Sequence, residues 1–163
     1  MGTPETGPAA DEPPAHSGAL AQGVRCGPWR VAFPFHWARS IVEQFEMSEV
    51  PHAPHWLLGA ANVDGQVVPV FDLRAYAEAA APTPADAGAW LLLGGEGEDR
   101  LGLLSAGRPA RLTEAPTGQA APPVPPALAE FVRGTCVDDQ GRPWALLDPG
   151  ALTEALAADL ALA

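Results

Sequence analysis

Two aspartates, Asp72 and Asp148, each follow an apolar segment, and paired carboxylates can share a proton as in an aspartic protease. Such a site needs a small hydroxylic residue and a glycine after the aspartate, whereas Leu73-Arg74 and Pro149-Gly150 follow here. An aspartate between a strand and a helix also suits the helix N-cap, where its side chain accepts backbone N–H groups. The sequence therefore favours two helix N-caps over a catalytic dyad.

The histidines suggest a second kind of chemistry. His36, His52 and His55 could bind zinc, and His52 and His55 are three residues apart. That spacing suits a helix, but Pro54 between them is unfavourable for one, and no further ligand completes a site. No nucleophile elbow, phosphate-binding loop or dinucleotide motif is present. We expect no catalytic residue, no metal site and no cofactor, and a hydrolase remains the enzymatic alternative.

The charge balance restricts the partners. The chain has 163 residues, nine of them arginine and none lysine, and its formal net charge is -11. Nucleic acid is not an expected partner, because no basic stripe is available to displace counterions, whereas an acidic surface suits basic protein patches. Cys26 and Cys136 have no metal-type spacing and are expected to be reduced thiols. With no secretory signal and no membrane span in the sequence, we expect a cytoplasmic protein without membrane insertion.

The central element is a predicted hairpin over residues 50–74. Pro51 and Pro54 stiffen its extended entry. Asp64-Gly65 lies between two apolar runs and predicts a two-residue turn, because both positions favour positive φ. Pro69 in the return strand suggests an edge or a bulge. Asp72 then begins a short helix.

The last third of the chain repeats this outline. An apolar strand from Phe131 leads to a turn at 137–141 and to a second strand that ends at Asp148. Near the N-terminus, Val24–Phe35 predicts a hairpin or a bent strand with Gly27-Pro28 as the turn, and Ser40–Met47 predicts a further strand. Helices are expected only near 73–80, 126–131 and 149–160. The pattern predicts a mainly β fold with an internal pseudo-repeat.

The hairpin segment resembles the signature of the CheW-like domain, the coupling module of bacterial chemosensory arrays. Ten positions are in register with the family pattern: Pro51, Pro54, Gly59, Asn62, Gly65, Pro69, Val70, Asp72, Leu73 and Arg74. Phe33-Pro34-Phe35, Ile41 and Gly102-Leu103-Leu104 match further family segments. The sequence departs from the family at Ala38, Ser40 and Ser105-Ala106, where Val, Glu and Val-Asp are usual. The resemblance covers about residues 22–158.

The resemblance implies two interlocked small five-stranded SH3-like β-barrel subdomains with short helices and a C-terminal helix. We expect the CheW-like domain to cover residues 23–160, with a linker near 79–88. Residues 1–22 form a Pro/Ala-rich segment without aromatic residues. This composition predicts a disordered tail.

The implied function is that of a non-enzymatic adaptor in chemotaxis or twitching motility. It would couple the cytoplasmic tip of a chemoreceptor to the regulatory domain of a chemosensory histidine kinase. By matched position, the kinase-contact candidates are Asn62, Asp64 and Gly65, and the receptor-groove candidates are Ile41, Val42, Leu103 and Leu104. Turn geometry and core packing explain these residues equally well. Asp64 stands where the family favours Arg, so the charge at the hairpin tip is inverted.

A binding module of another class remains open. A diverged SH3-like domain without kinase coupling would bind peptides through a groove of exposed aromatic side chains. The tryptophans that could supply such a groove are Trp29, Trp37, Trp56, Trp90 and Trp144.

Overall fold

The computed structural model describes residues 19–78 and 89–163. The predicted linker near 79–88 lies outside the described residues, and so does the predicted tail as far as residue 18. The first strand begins at Ala19, four residues before the domain start that we placed at residue 23.

The described chain is mainly β, as predicted. The strands are β1 (Ala19–Cys26), β2 (Trp29–Pro34), β3 (Ala38–Val42), β4 (Met47–Ser48), β5 (Leu57–Val63), β6 (Gln66–Phe71), β7 (Ala89–Gly94), β8 (Leu101–Ala106), β9 (Ala110–Glu114), β10 (Val132–Val137) and β11 (Pro143–Leu147). The helices are α1 (Leu73–Glu78), α2 (Pro126–Ala129) and α3 (Pro149–Leu162), and a 3-10 turn covers Gly97–Asp99. All three predicted helices are confirmed. The strand predicted over Ser40–Met47 ends at Val42, and β4 begins only at Met47.

The strands form two units. Strands β1-β2-β11-β10-β9 close into a five-stranded barrel, and β3-β7-β8-β6-β5-β4 form a six-stranded sheet. The two-barrel expectation is therefore corrected in the second unit, where the two-residue strand β4 is added beside β5 and the sheet is not closed. Each unit contains one parallel pair, β11 with β2 and β6 with β8.

Pro69 illustrates how the sequence adapts to this topology. Pairing between β6 and β8 begins at Val70, so the proline lies just outside the parallel ladder. A proline has no N–H to donate, and this position avoids a missing bond on that side. The edge or bulge that Pro69 suggested corresponds to the point where β6 leaves β8.

The buried apolar residues form three clusters, of which the largest joins the two units. The largest is shared by the barrel, the sheet and α3, and it includes Val24, Phe33, Leu103, Leu147 and Leu152. A second cluster covers the other face of the sheet, and a third fills the barrel around Trp144. Because the largest cluster takes residues from both units, barrel and sheet form one continuous core.

Two buried polar side chains fix the joint between the units. The Gln22 amide on β1 donates to the carbonyl of Ala38 on β3 at 3.1 Å. The Ser105 hydroxyl on β8 accepts the backbone N–H of Arg25 on β1 at 3.2 Å. Ser105 is fully buried, so replacing it with an apolar residue would leave the Arg25 N–H without this partner. The departure from the family pattern at Ser105 thus has a structural role.

Candidate partner-binding surfaces

The tip of the β5–β6 hairpin is a two-residue turn, as predicted. Asp64 has φ 52° and Gly65 has φ 83°, the left-handed pair that a type I′ turn requires. The Asn62 side chain accepts the backbone N–H of Gly65 at 3.0 Å, which closes the turn from within. All three residues are exposed. Asn62 and Gly65 therefore shape the tip, whereas the Asp64 carboxylate makes no ion pair or hydrogen bond with the described residues.

A second loop supports this tip. The Gln66 side-chain amide donates to the backbone carbonyl of Gly97 at 2.7 Å, and the Arg100 guanidinium donates to the side-chain oxygen Oε1 of Gln66 at 2.8 Å. Gln66 directly follows the turn, so these two bonds fasten the hairpin to the 3-10 turn between β7 and β8. Gln66 and Arg100 are distant in the chain and belong to no motif, so no sequence pattern indicated their contact.

The four receptor-groove candidates do not share one surface. Ile41 on β3 and Leu103 on β8 both pair with Leu92, and this row faces the large shared cluster. Val42 and Leu104 form the neighbouring row with Leu91, which faces the opposite cluster of the sheet. The candidates therefore divide between the two faces of the sheet.

The four receptor-groove candidates also differ in solvent exposure. Leu103 is fully buried and Leu104 is 6% exposed, so both contribute to the core. Ile41 and Val42 are half-buried on β3, which is an edge strand of the sheet. A partner could reach these two side chains without opening the protein. Of the four candidates, Ile41 and Val42 on β3 are therefore the two that a receptor contact could involve directly.

Both aspartates at strand ends are helix N-caps, as predicted. The Asp72 carboxylate accepts the N–H groups of Arg74 at 3.0 Å and Ala75 at 3.2 Å. The Asp148 carboxylate accepts the N–H of Ala151 at 3.2 Å and lies 3.6 Å from the Arg133 guanidinium. These bonds satisfy N–H groups that a helix start leaves without an intrahelical partner.

Of the potentially reactive side chains, His55 is within hydrogen-bond distance of a backbone carbonyl, and both cysteines are buried. His55 lies 3.2 Å from the carbonyl of Ala75, and no group of three or more potential ligands that could hold a metal occurs within residues 19–78 and 89–163. Cys26 and Cys136 are free and buried, and burial raises the pKa of both thiols. A raised pKa keeps a thiol protonated and weakly nucleophilic.

The tryptophans do not gather into one groove. Trp144 is buried in the barrel and donates to Asp138, and Trp56 packs against Phe71 and Tyr76. The three that are half-buried have separate partners. The Trp29 indole donates to Glu78 at 2.5 Å, the Trp37 ring packs on Phe33, and the Arg108 guanidinium lies over the Trp90 ring. This dispersal is unfavourable for the peptide-groove alternative.

Comparison with known proteins gives a family match and a structural match. A family model described as the CheW-like domain matches residues 21–157. Among solved structures, the fold is similar to the scaffolding protein TtCheW from Thermoanaerobacter tengcongensis, with a TM-score of 0.60 and 15% sequence identity. That match covers 80% of this chain and 89% of the other. A search of curated proteins found no match. Within the described residues, no helix is long and apolar enough to cross a membrane.

Proposed function

Because the chain belongs to the CheW-like domain family, a family of chemotaxis scaffold proteins, we propose that it couples chemoreceptors to a chemosensory histidine kinase. The observation that supports this proposal is the extent of the family match, which spans both units of the fold. The role is adaptor binding rather than catalysis, and it would be exercised in the cytoplasm. Either a flagellar or a pilus-driven pathway is compatible with these residues.

The kinase contact in this proposal is the tip of the β5–β6 hairpin. Asn62 and Gly65 set its shape, and Asp64 supplies its charge. An exposed carboxylate on a rigid turn attracts a basic residue on the partner and repels an acidic one. We therefore expect the kinase that this protein serves to carry a basic side chain opposite Asp64.

The receptor contact in this proposal is the edge strand β3. Ile41 and Val42 are half-buried there, and Arg39 and Ser40 beside them are exposed. Apolar side chains flanked by polar ones suit an amphipathic receptor helix. Leu103 and Leu104 would support this surface from the core. The remaining domain assignments, a tail that would end before the first strand at Ala19 and a linker near 79–88, are part of the same proposal.

Calorimetric titration tests the proposed coupling. The full chain would be titrated with the regulatory domain of a chemosensory kinase from the same cell and, separately, with a receptor-tip fragment. Binding to both is the expected result. Binding to the receptor alone would remove the kinase contact from the proposal, and binding to neither would overturn it.

Matched variants locate the two contacts. Ile41→Glu is expected to weaken receptor binding and to leave kinase binding unchanged. Asp64→Asn is expected to weaken kinase binding and to leave receptor binding unchanged. Thr113→Glu is the control, because Thr113 is exposed on β9 in the barrel, away from both surfaces. Equal losses with all three variants would contradict the assignment of the surfaces.

A further inference from the structure

A groove of about 650 Å³ lies between α3 and the loop that joins β7 to β8. Its apolar lining comes from the exposed Ala157, from the half-buried Trp37, Pro69 and Leu160, and from the small surface that the buried Phe71, Leu101 and Leu156 leave open. A volume of this size is typical of sites that bury a ligand or a side-chain cluster. The groove is open to the surface and belongs to neither contact proposed above.

The walls of the groove are held in place. Leu152 and Leu156 of α3 are buried in the shared core. On another side of α3, the Tyr76 hydroxyl donates to the Asp159 carboxylate at 2.5 Å. Opposite α3, the bonds from Arg100 to Gln66 and from Gln66 to Gly97 fasten the loop. A preformed groove costs less ordering entropy on binding than one that must be built.

The rim of the groove is acidic. Glu96, Glu98 and Asp99 lie on the loop, and Glu154 lies on α3. Glu96 is 3.6 Å from the Arg39 guanidinium, but the other three carboxylates make no ion pair with the described residues. Arg100 and His36 are the basic residues that line the groove, and the Arg100 guanidinium already donates to Gln66. The rim therefore leaves three exposed carboxylates around an apolar floor.

We propose that this groove binds a basic amphipathic helix of a partner protein, with its apolar face on the floor and its Lys or Arg side chains against the rim. The part of α3 that lines the groove runs from Thr153 to Leu160, about 10 Å of helix. That length matches about two turns of a helix lying alongside. The pairing of an apolar stripe with flanking basic residues is the pattern that a helix in an acidic groove requires.

Two other occupants, a second copy of the chain and its own N-terminal segment, are unfavourable because both are acidic. The chain carries a formal net charge of -11, so two copies repel each other at an acidic groove. Residues 1–18 contain Glu5, Asp11 and Glu12 but no arginine or lysine, so this segment is not complementary to the rim either. The proposal does not depend on kinase or receptor coupling and would stand if that function failed.

A synthetic peptide tests the proposal on the full chain. The probe is a fluorescein-labelled helix with leucine at i, i+3, i+4 and i+7 and lysine at the intervening positions. A peptide of the same composition with the leucines spread around the helix is the comparison. We expect the amphipathic peptide to bind more tightly, as measured by fluorescence anisotropy, and its binding to weaken as salt is added. Equal binding of both peptides would overturn the proposal.

Charge variants distinguish binding at the acidic rim from attraction to the acidic surface as a whole. Glu98→Gln, Asp99→Asn and Glu154→Gln together should weaken binding about tenfold, because each exposed ion pair contributes a fraction of the total. The control combines Glu43→Gln, Glu114→Gln and Asp139→Asn, which remove the same charge at exposed positions outside the groove. The control should change the affinity less than about twofold. Equal losses would show attraction to the whole surface and overturn the groove.

A steric pair tests the floor independently. Ala157 lines the groove and is exposed, so Ala157→Trp should block the site. Ala158 is also exposed and follows it on α3 but does not line the groove, so Ala158→Trp should bind the peptide normally. Circular dichroism on both variants checks that the fold is retained. Normal binding by Ala157→Trp would exclude this groove as the site.

Discussion

The two hairpin-and-helix units, Trp56–Glu78 and Phe131–Leu162, have the same framework and differently built tips. In each, the backbone N–H of the capping aspartate donates to the aromatic residue before the hairpin, Asp72 to Trp56 and Asp148 to Phe131, both at 2.9 Å. In each, the ladder shifts register at the same place, between Leu57 and Gly59 and between Val132 and Gly134. The common framework shows that the pseudo-repeat in the sequence is a structural repeat.

The tips differ in what holds them. The first turn needs only the left-handed conformations of Asp64 and Gly65 and the bond from Asn62, so the Asp64 side chain is left exposed. The second is closed by Asp138, which is 8% exposed and accepts bonds from Gln140, Arg142 and Trp144. A carboxylate used in this way cannot also meet a partner. Stability is therefore concentrated at the second tip, and the first is available for binding.

The largest difference in stability between the two units is expected at Gly59 and Gly134, the glycines at the two register shifts. A Cβ at Gly59 would lie 2.4 Å from the carbonyl oxygen of Ser48, whereas one at Gly134 would meet only a Leu146 methyl at 3.8 Å. Gly59→Ala should therefore lower the free energy of unfolding by about 3 kcal/mol, because β4 must move. Gly134→Ala should change it by less than about 0.5 kcal/mol or raise it.

Urea unfolding of the two glycine variants measures this difference. A comparable loss in both would mean that the bulge conformation itself requires glycine, and that the contact with β4 is not the cause.

Asp138→Asn and Asp64→Asn compare the carboxylates of the two tips. The amide at position 138 would turn an N–H group toward the donors of Arg142 and Trp144, which should cost about 2 kcal/mol. Asp64→Asn should cost less than about 0.5 kcal/mol, because Asp64 is exposed and asparagine tolerates positive φ.

The pH dependence of unfolding checks the cause at Asp138. Burial opposes ionisation, but hydrogen bonds from the Arg142 and Gln140 backbone, the Trp144 indole and the Arg142 side chain lower its pKa to about 2. A lowered pKa stabilises the folded state above the ordinary value of 3.8, and this contribution is lost as the pH falls toward 2. The gap between Asp138→Asn and the parent protein should therefore narrow over that range. A gap independent of pH would contradict the electrostatic explanation.

Removing either helix cap should lower the free energy of unfolding, with a smaller difference between the two units than at the glycines or the tips. Asp72 is buried and caps two N–H groups, whereas Asp148 is half-buried and caps one. Asp72→Ala should cost about 1.5 kcal/mol and Asp148→Ala about 1 kcal/mol by urea unfolding. A larger cost at Asp148 would indicate that its ion pair with Arg133 contributes more than the cap does.

These differences mark the limits of what the sequence predicts. Turn residues, caps and alternating apolar strands are local features, and they correctly located the helices and both hairpins. The receptor-groove assignment stays a prediction, but the division of its candidates between two faces could have been predicted from the sequence: Ile41 and Val42 are adjacent in a strand and must point to opposite faces. The same applies to Leu103 and Leu104. The roles of Gln66, Ser105 and Asp138 depend on residues brought together only by folding, and no local pattern identifies such contacts.

Asp64→Arg tests the consequence of the comparison for binding. Because the tip is held by its backbone and by Asn62, the substitution should change stability by less than about 1 kcal/mol. The test uses the regulatory domain of a kinase whose own coupling protein carries the usual Arg, not the kinase that this protein serves. Asp64→Arg restores that charge, so binding to this domain should strengthen by about tenfold, the effect of one well-placed charge pair. Asp64→Asn should give an intermediate affinity, since it removes the repulsion without adding an attraction. Unchanged or weaker binding by Asp64→Arg would show that the first tip does not select its partner through charge.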